Sequence, residues 1–279
     1  MKKIAILIRQ NLEDYRIKRF YDEISGYNNI DIVEAYKYLV YPYENTKILE
    51  YDNFYFYLGM TFTYDSNILA NYLNDNGKNV INKLHINNQI ASKTFFYDKL
   101  RKYIKIPKFY KIYSVKNIRF ILEKLSFPIM VKHQFIHRGE FVFKINNEEE
   151  LYNFLDEYLE NKRDIKHLIF QEYIPYEKDI RVIFIGKPFG AMQRINNESY
   201  KANISQGGRG KEYKIDKEIE EISYKISEKM DLQIFAFDLL LKENTYYLID
   251  IHNIFQFEGF EKYLNKNLVK GILDYLNEI

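Results

Sequence analysis

Apolar residues run unbroken from Ile4 to Ile8, the pattern of a strand buried on both faces, and helix formers of mixed charge follow. Phe54 to Leu58 predicts a second, aromatic strand closed by Gly59. Ser66 to Asn74 predicts a helix ended by Gly77, after which Val80 and Ile81 resume a strand. This alternation predicts a small α/β domain over residues 1–86.

Beyond Pro107 the periodicity changes. Val115 to Leu125 is amphipathic, with Ile118, Ile121, Leu122 and Leu125 on one face. Pro128 to Lys132 and Phe141 to Ile145 read as strands joined by a loop, Glu148 to Leu159 as a helix striped by Leu151, Phe154, Leu155 and Tyr158, and Leu168 to Ile174 as a strand. Together they predict an α+β lobe over residues 87–175. Residues 176–279 are richer in paired strands. Asp179 to Ile185 and Phe189 to Ile195 flank a hairpin signal at Gly186, Lys187 and Pro188. Ile215, Ile219, Ile222, Ile226 and Met230 recur at helical spacing, and Phe235 to Leu241 and Thr245 to Ile251 flank a polar turn at Lys242 to Asn244. No repeat or low-complexity linker interrupts the chain, so the lobes are expected to sit close together around a cleft.

Composition narrows the function. Hydrophobic residues make up 47% and charged residues 29% of 279, a globular balance. The 27 Tyr and 21 Phe fit either a stacking surface for bases or a general bias that puts aromatics where Leu and Val often sit. A net charge of +2 sets up no strong field, so neither nucleic acid nor an anionic membrane is implied as a partner. Cysteine is absent, which excludes disulfides and thiolate chemistry. The opening MKKIAILIRQ is too brief an apolar run for a signal peptide core or a membrane span, and reads as the first strand of a cytoplasmic protein.

The chemistry concentrates in FAFDLLLKENTYYLIDIHN, residues 235–253. Two apolar strands joined by a short turn place Asp238 and Asp250 across from each other. Carboxylates facing each other inside an apolar hairpin are costly to desolvate, and a cation between them, magnesium by its preference for oxygen ligands, is the natural compensation; spacing alone equally allows an edge strand with one or both acids in solvent. Lys132, Arg181 and Arg194 each interrupt a buried-looking strand. A lone strand cation usually points outward, but three of them near a candidate metal site favour a shared polyphosphate. The loop HQFIHRGEF, residues 133–141, is either an ordinary turn or a phosphate cover in which Gly139 lets the backbone approach.

Taken in order, DKL at Asp98 to Leu100, PIMVK ending at Lys132, QEYI at Gln171 to Ile174, DIRVIFIG from Asp179, Arg194, Asn203 with Gly207 and Gly208, FDLL and IDIHNIFQFEGFEK resemble the ATP-grasp fold over residues 85–265. Within that superfamily the chain is most similar to RimK-type ligases, which add amino acids to a carboxylate. The resemblance implies ATP held between two α+β lobes after an N-terminal α/β domain. Lys99 and Lys132 would reach the phosphates; Gln171, Glu172, Tyr173 and Ile174 would form the adenine hinge, and Asp179 the ribose acid. Arg181, Arg194 and Asn203 would serve the triphosphate and acyl phosphate, and Asp238 and Asp250 the metal. It further implies a carboxylate substrate and an amine co-substrate, and is compatible with a homodimer.

Two departures qualify the expectation. Family members usually end the second metal strand with Glu, one residue, then Asn, whereas this chain has Asp250, Ile251, His252 and then Asn253. Magnesium, or manganese, would thus have His252 or Asn253 as a third ligand, with His252 equally readable as an ordinary strand residue. The phosphate loop is poor in glycine. A nucleotide-binding regulatory protein without turnover, and a phosphotransferase of the same fold, therefore stand beside the ligase as alternatives.

Overall fold

The computed structural model describes residues 2–8, 14–35, 46–57, 64–83, 92–135, 141–195, 209–253 and 255–279. Gly139, Asn203, Gly207, Gly208 and the segment 59–63 lie outside the described residues.

The first 81 residues build a parallel sheet of order β2-β1-β3-β4, from β1 (Ile4–Ile8), β2 (Ile30–Glu34), β3 (Asn53–Phe56) and β4 (Asn79–Ile81). Helix α1 (Tyr15–Ile24) connects β1 to β2, and α2 (Tyr64–Asp75) connects β3 to β4. Every residue of β1 is at most 1% exposed, because alternate side chains feed two different cores. Ile4, Ile6 and Ile8 join Ile17 and Phe20 of α1, while Ala5 and Leu7 join Leu69, Ala70 and Leu73 of α2.

After α3 (Lys93–Leu100) comes an antiparallel sheet of order β5-β8-β6-β7: β5 (Phe109–Tyr110), β6 (Ile129–His133), β7 (Val142–Ile145) and β8 (Leu168–Glu172). Its outer face is covered by α4 (Ile118–Lys124) and α5 (Glu148–Glu160), with Ile129, Val131, Leu168 and Phe170 packed on Ile118, Ile121, Leu151 and Leu155. Strand alternation turns Met130, Lys132 and Gln171 to the opposite face, with Met130 in register with Gln171.

The remaining sheet is antiparallel, in the order β11-β10-β9-β12-β13: β9 (Lys178–Ile185), β10 (Lys187–Ile195), β11 (Arg209–Tyr213), β12 (Ile234–Lys242) and β13 (Thr245–His252). Gly186, at φ 65°, makes the β9–β10 turn; Glu243 and Asn244, at φ 47° and 60°, make the β12–β13 turn. One face packs on α6 (Lys217–Met230) and α3. The other face is divided along its length: Ile183, Ile185, Ile234 and Ala236 enter a core, whereas Asp179, Arg181 and Asp238 line a cleft.

That core is shared. Helices α7 (Glu258–Leu264) and α8 (Leu268–Glu278) insert Phe260, Leu268, Ile272 and Leu276 into the cluster that holds Ile4, Ile6 and Ile8. Arg19 of α1 adds a polar tie, at 3.3 Å to both Glu261 and Asn267. The end of the chain is therefore packed against the beginning, an arrangement the apolar pattern of residues 176–279 had not suggested.

Candidate active site

A cavity of about 550 Å³ opens between the two antiparallel sheets. At one end Met130, Val142, Ile174, Leu240 and Ile249 form apolar walls, and Glu172, Tyr173 and Ile174 line the connection between the lobes. Backbone N–H of Glu172 donates to Lys108 O (2.8 Å), and the Lys108 N–H donates back to Glu172 Oε2 (3.1 Å), which fixes the hinge. Gln171 is 1% exposed and its Nε2 has no hydrogen-bond partner among the described residues. A buried amide donor without an acceptor, beside a flat apolar slot, suits a heteroaromatic ring carrying acceptor nitrogens.

The middle of the cavity is ionic, and its geometry follows from the register. Arg181 of β9 lies directly opposite Asp238 of β12, which lies opposite Asp250 of β13; Arg194 of β10 lies opposite Asp179 of β9. Arg181 donates to Asp238 through Nε at 2.8 Å and Nη2 at 2.9 Å. Arg194 donates to Asp179 Oδ1 through Nε at 2.8 Å and Nη2 at 2.5 Å, and its Nη2 is 3.1 Å from Asp238 Oδ2. Burial alone would push the Asp238 carboxyl up, but Arg181 and Arg194, with His252, hold it well below the usual carboxylate range. Burial prevails at Asp179 and raises it, although Arg194 opposes the shift.

Lys132 of β6 faces this row from the other sheet. Burial, opposed by Asp250 and reinforced by Lys93, lowers its ammonium to about 8. Its companion is not the lysine that the sequence pattern selected. Lys99 is exposed on α3, its ammonium 5.9 Å from the Phe95 ring centroid, and does not line the cavity. Lys93 does: it is 3% exposed and lies 3.1 Å from Asp250 Oδ2. Six residues, about 1.7 turns of α3, separate these lysines, so they sit on different sides of the helix and Lys93 is the one on the cleft side. Ser92 caps the first turn of α3 by accepting from Phe95 N–H at 3.2 Å, and Tyr97 anchors the helix by donating to Ile249 O at 2.6 Å.

Asp238, Asp250 and His252 do converge, yet they are not arranged as a cation cradle. Both oxygens of Asp238 accept from arginine, and His252 Nε2 stands 3.2 Å from Asp238 Oδ2 and 3.8 Å from Asp250 Oδ2. Asn253 is half-buried, and its Nδ2 has no hydrogen-bond partner among the described residues. Among the described residues no three His, Asp or Glu side chains are placed to hold a metal ion. As built, the set does not fit a divalent ion. The reason is physical: with the register putting a guanidinium opposite the carboxylate, the cation that offsets Asp238 is Arg181 itself. Asp179, expected at a ribose, is 6% exposed and likewise committed to Arg194.

The third region of the cavity went unnoticed in the sequence. Met192, Phe260 and Tyr263 make an apolar floor there, edged by Gln256, Glu258 and Lys262. Gly190 of β10 makes room for it: a Cβ at that position would stand 2.9 Å from Phe260 Cζ and 3.0 Å from Leu264 Cδ2.

Two antiparallel sheets clasping a cleft lined by lysines and arginines define an ATP-grasp protein, and three comparisons agree. The profile of the RimK-like ATP-grasp domain matches residues 81–276, and the chain belongs to that family. It is 26% identical over 184 residues to the coenzyme γ-F420-2:α-L-glutamate ligase of Methanococcus maripaludis, a match covering 62% of this chain and 62% of that ligase. It is 27% identical to the glutamate–LysW ligase ArgX of Sulfurisphaera tokodaii, over 72% of this chain and 74% of the relative. The D-alanine–D-alanine ligase of Bacillus anthracis complexed with ATP has the same fold, with a TM-score of 0.69 at 16% identity over 100% of this chain and 97% of that one. No helix among the described residues is long and apolar enough to cross a membrane.

Proposed function

We propose that the chain is an ATP-dependent carboxylate–amine ligase, forming a C–N bond with release of ADP and inorganic phosphate. The observation that carries this reading is the convergence of Lys93, Lys132, Arg181 and Arg194 on one cleft that ends in an apolar slot with an unpaired amide. The relatives named above are ligases of glutamate, which supports an amino acid as the amine. Asp238 and Asp250 are paired with Arg181 and Lys93 and do not form a cradle for magnesium or manganese.

In this reading Met130, Val142, Ile174 and Leu240 hold the adenine ring, with Gln171 donating to it and the hinge residues Glu172 and Tyr173 at its edge. ATP supplies a phosphoryl group that turns the substrate carboxylate into an acyl phosphate. Lys93 and Lys132 neutralise the phosphate oxygens from the N-terminus of α3 and from β6. Arg181 and Arg194 meet the charge that builds on the transferred group and on the tetrahedral oxygen, the principal device available for such chemistry. The amine nitrogen then bonds to the acyl carbon, inorganic phosphate leaves and the amine proton is lost to solvent. The floor of Met192, Phe260 and Tyr263 receives one of the two organic substrates.

A screen of amino acids and acidic metabolites tests the proposal by following ADP and inorganic phosphate together. Equal release of both, dependent on amine and carboxylate, is expected. ADP without inorganic phosphate would instead identify a phosphotransferase. The commitment of Asp238 to arginine favours one further reading, a nucleotide-binding protein without turnover. It predicts nucleotide binding with no ADP release above that of Asp238→Asn under any substrate pair.

A further inference from the structure

The end of the cavity away from the apolar slot has an apolar base and a charged rim. Met192 of β10 and Phe260 of α7 are 2% and 1% exposed, and with Tyr263 they line the base. Two glycines let them meet. A Cβ on Gly190 would stand 2.9 Å from Phe260 Cζ, and one on Gly210 of β11 would stand 2.5 Å from Met192 Sδ and 2.6 Å from Tyr263 Cδ2. Both strands thus omit a side chain where α7 lays two rings against a thioether.

At the rim, Glu258 and Lys262 of α7 are exposed and both line the cavity. They stand four residues apart, in the order in which glutamate and lysine usually pair on a helix. Here neither is in an ion pair among the described residues, and the Lys262 ammonium lies instead 5.6 Å from the Tyr263 ring centroid. Along the helix the two positions are one turn, about 6 Å, apart. A zwitterion bridges such a gap, with its ammonium at the acid and its carboxylate at the lysine. Its side chain then falls on the base, where no cation is left to meet an acidic group. Arg194, two residues from Met192 and on the same face of β10, is held by Asp179 and Asp238, and Lys93 is held by Asp250. From this arrangement we infer that the amine co-substrate is an α-amino acid with an apolar side chain, bound by Glu258 and Lys262 over Met192, Phe260 and Tyr263. With its carboxylate held at the rim, it enters the reaction through its nitrogen. A carboxylate or ammonium on the side chain would be desolvated on the base without a partner.

The inference rests on the ligase reading and deepens it, and a binding test separates the two because it needs no knowledge of the carboxylate partner. The full chain is saturated with the non-hydrolysable analogue AMPPNP, with saturation checked by calorimetry. L-Leucine, L-phenylalanine, L-glutamate, L-lysine and isoamylamine, which is leucine without its carboxylate, are then compared by competition in saturation-transfer NMR. L-Leucine and L-phenylalanine should displace each other, and L-glutamate, L-lysine and isoamylamine should each bind at least about tenfold more weakly. Lys262→Met should weaken L-leucine about tenfold and isoamylamine less than about twofold, whereas Glu258→Gln should weaken both. Both substitutions are at exposed positions, and circular dichroism checks the fold. L-Glutamate or L-lysine displacing L-leucine at equal affinity overturns the inference, as does L-leucine binding that neither substitution changes. Absence of any amino-acid binding to the AMPPNP-loaded chain also overturns it, and leaves the nucleotide site standing. Failure of AMPPNP itself to bind overturns the ligase reading, and this inference with it.

Discussion

The ammonium of Lys93, in the first turn of α3, lies 3.1 Å from Asp250 at the far end of the last β-hairpin. The contact ties the segment between the lobes to the last hairpin and gives the cavity a lysine at a point that Lys99, exposed on α3, does not line. Lys93→Ala should therefore lower kcat/KM for ATP by about 100-fold, the scale of one charge-stabilising donor. Lys99→Ala should leave it within about threefold, as for an exposed surface change. Parallel ADP-release assays check the pair, and the reverse ranking would restore Lys99 to the site.

Lys132 sets a pH dependence. Its ammonium is lowered by burial to about 8 in the fold, against an unfolded value of 10.5. Between those values the unfolded chain binds more protons than the folded one, so this residue costs stability below about pH 8 and the cost is relieved as pH rises toward 10.5. Nucleotide affinity should move the opposite way, because the charge that meets phosphate is lost above pH 8. Calorimetry at pH 9 in buffers of different ionisation enthalpy should show proton uptake on binding that Lys132→Met abolishes.

Asn82 is a clamp between the first sheet and β12. Its Oδ1 accepts from Gln233 N–H at 2.6 Å and Ile234 N–H at 2.8 Å, and its Nδ2 donates to Ile234 O at 2.8 Å. Asn82→Ala leaves those backbone groups buried and unpaired, and should destabilise the chain by about 2–4 kcal/mol. Urea unfolding monitored by circular dichroism reads the change, and a loss under about 0.5 kcal/mol would show that water replaces the side chain.

Gly190→Ala should separate the two ends of the cavity. The added methyl meets Phe260 and Leu264 of α7 at 2.9–3.0 Å and displaces Phe260, itself part of the apolar floor, whereas Met130 and Ile174 line the other end of the cavity. The KM of an organic substrate should rise several-fold while the Kd of ATP stays within about twofold, the expectation for sites without shared partners. Steady-state kinetics and calorimetry together check it.

Much of this was legible in the sequence because strand geometry is strict. Once Phe235–Leu241 and Thr245–Ile251 are strands with a short turn between them, Asp238 and Asp250 come close; the register set by Lys242 opposite Thr245 would pair Asp238 with Ile249, and a bulge between Asp238 and Leu239 supplies the one-residue shift that puts it opposite Asp250. Alternation likewise sent Lys132, Arg181 and Arg194 to one side. Lys99 and Lys93 differ because a motif match does not fix a helix face: six residues at about 100° each put them about 120° apart around α3, and Lys93 is on the side that lines the cavity. A physical signal for Lys93 was present, since a cation in the first helical turn opposes the macrodipole by about 0.3–1 kcal/mol and so calls for a compensating anion. Lys99, in the last turn, sits where the dipole favours it. The pairing of Asp238 with Arg181 was not legible, because it depends on the order of strands β9 and β12, which composition and periodicity leave open. Helix α8 escaped for a related reason: its apolar stripe of Leu268, Ile272 and Leu276 names no partner, and the partner lies at the opposite end of the chain.

That shared core bears on synthesis. Ile4, Ile6 and Ile8 are made well before α8, the helix that completes their shelter. Until that helix has been made, one side of β1 stays open to solvent and to other nascent chains, so this core closes only once α8 has emerged.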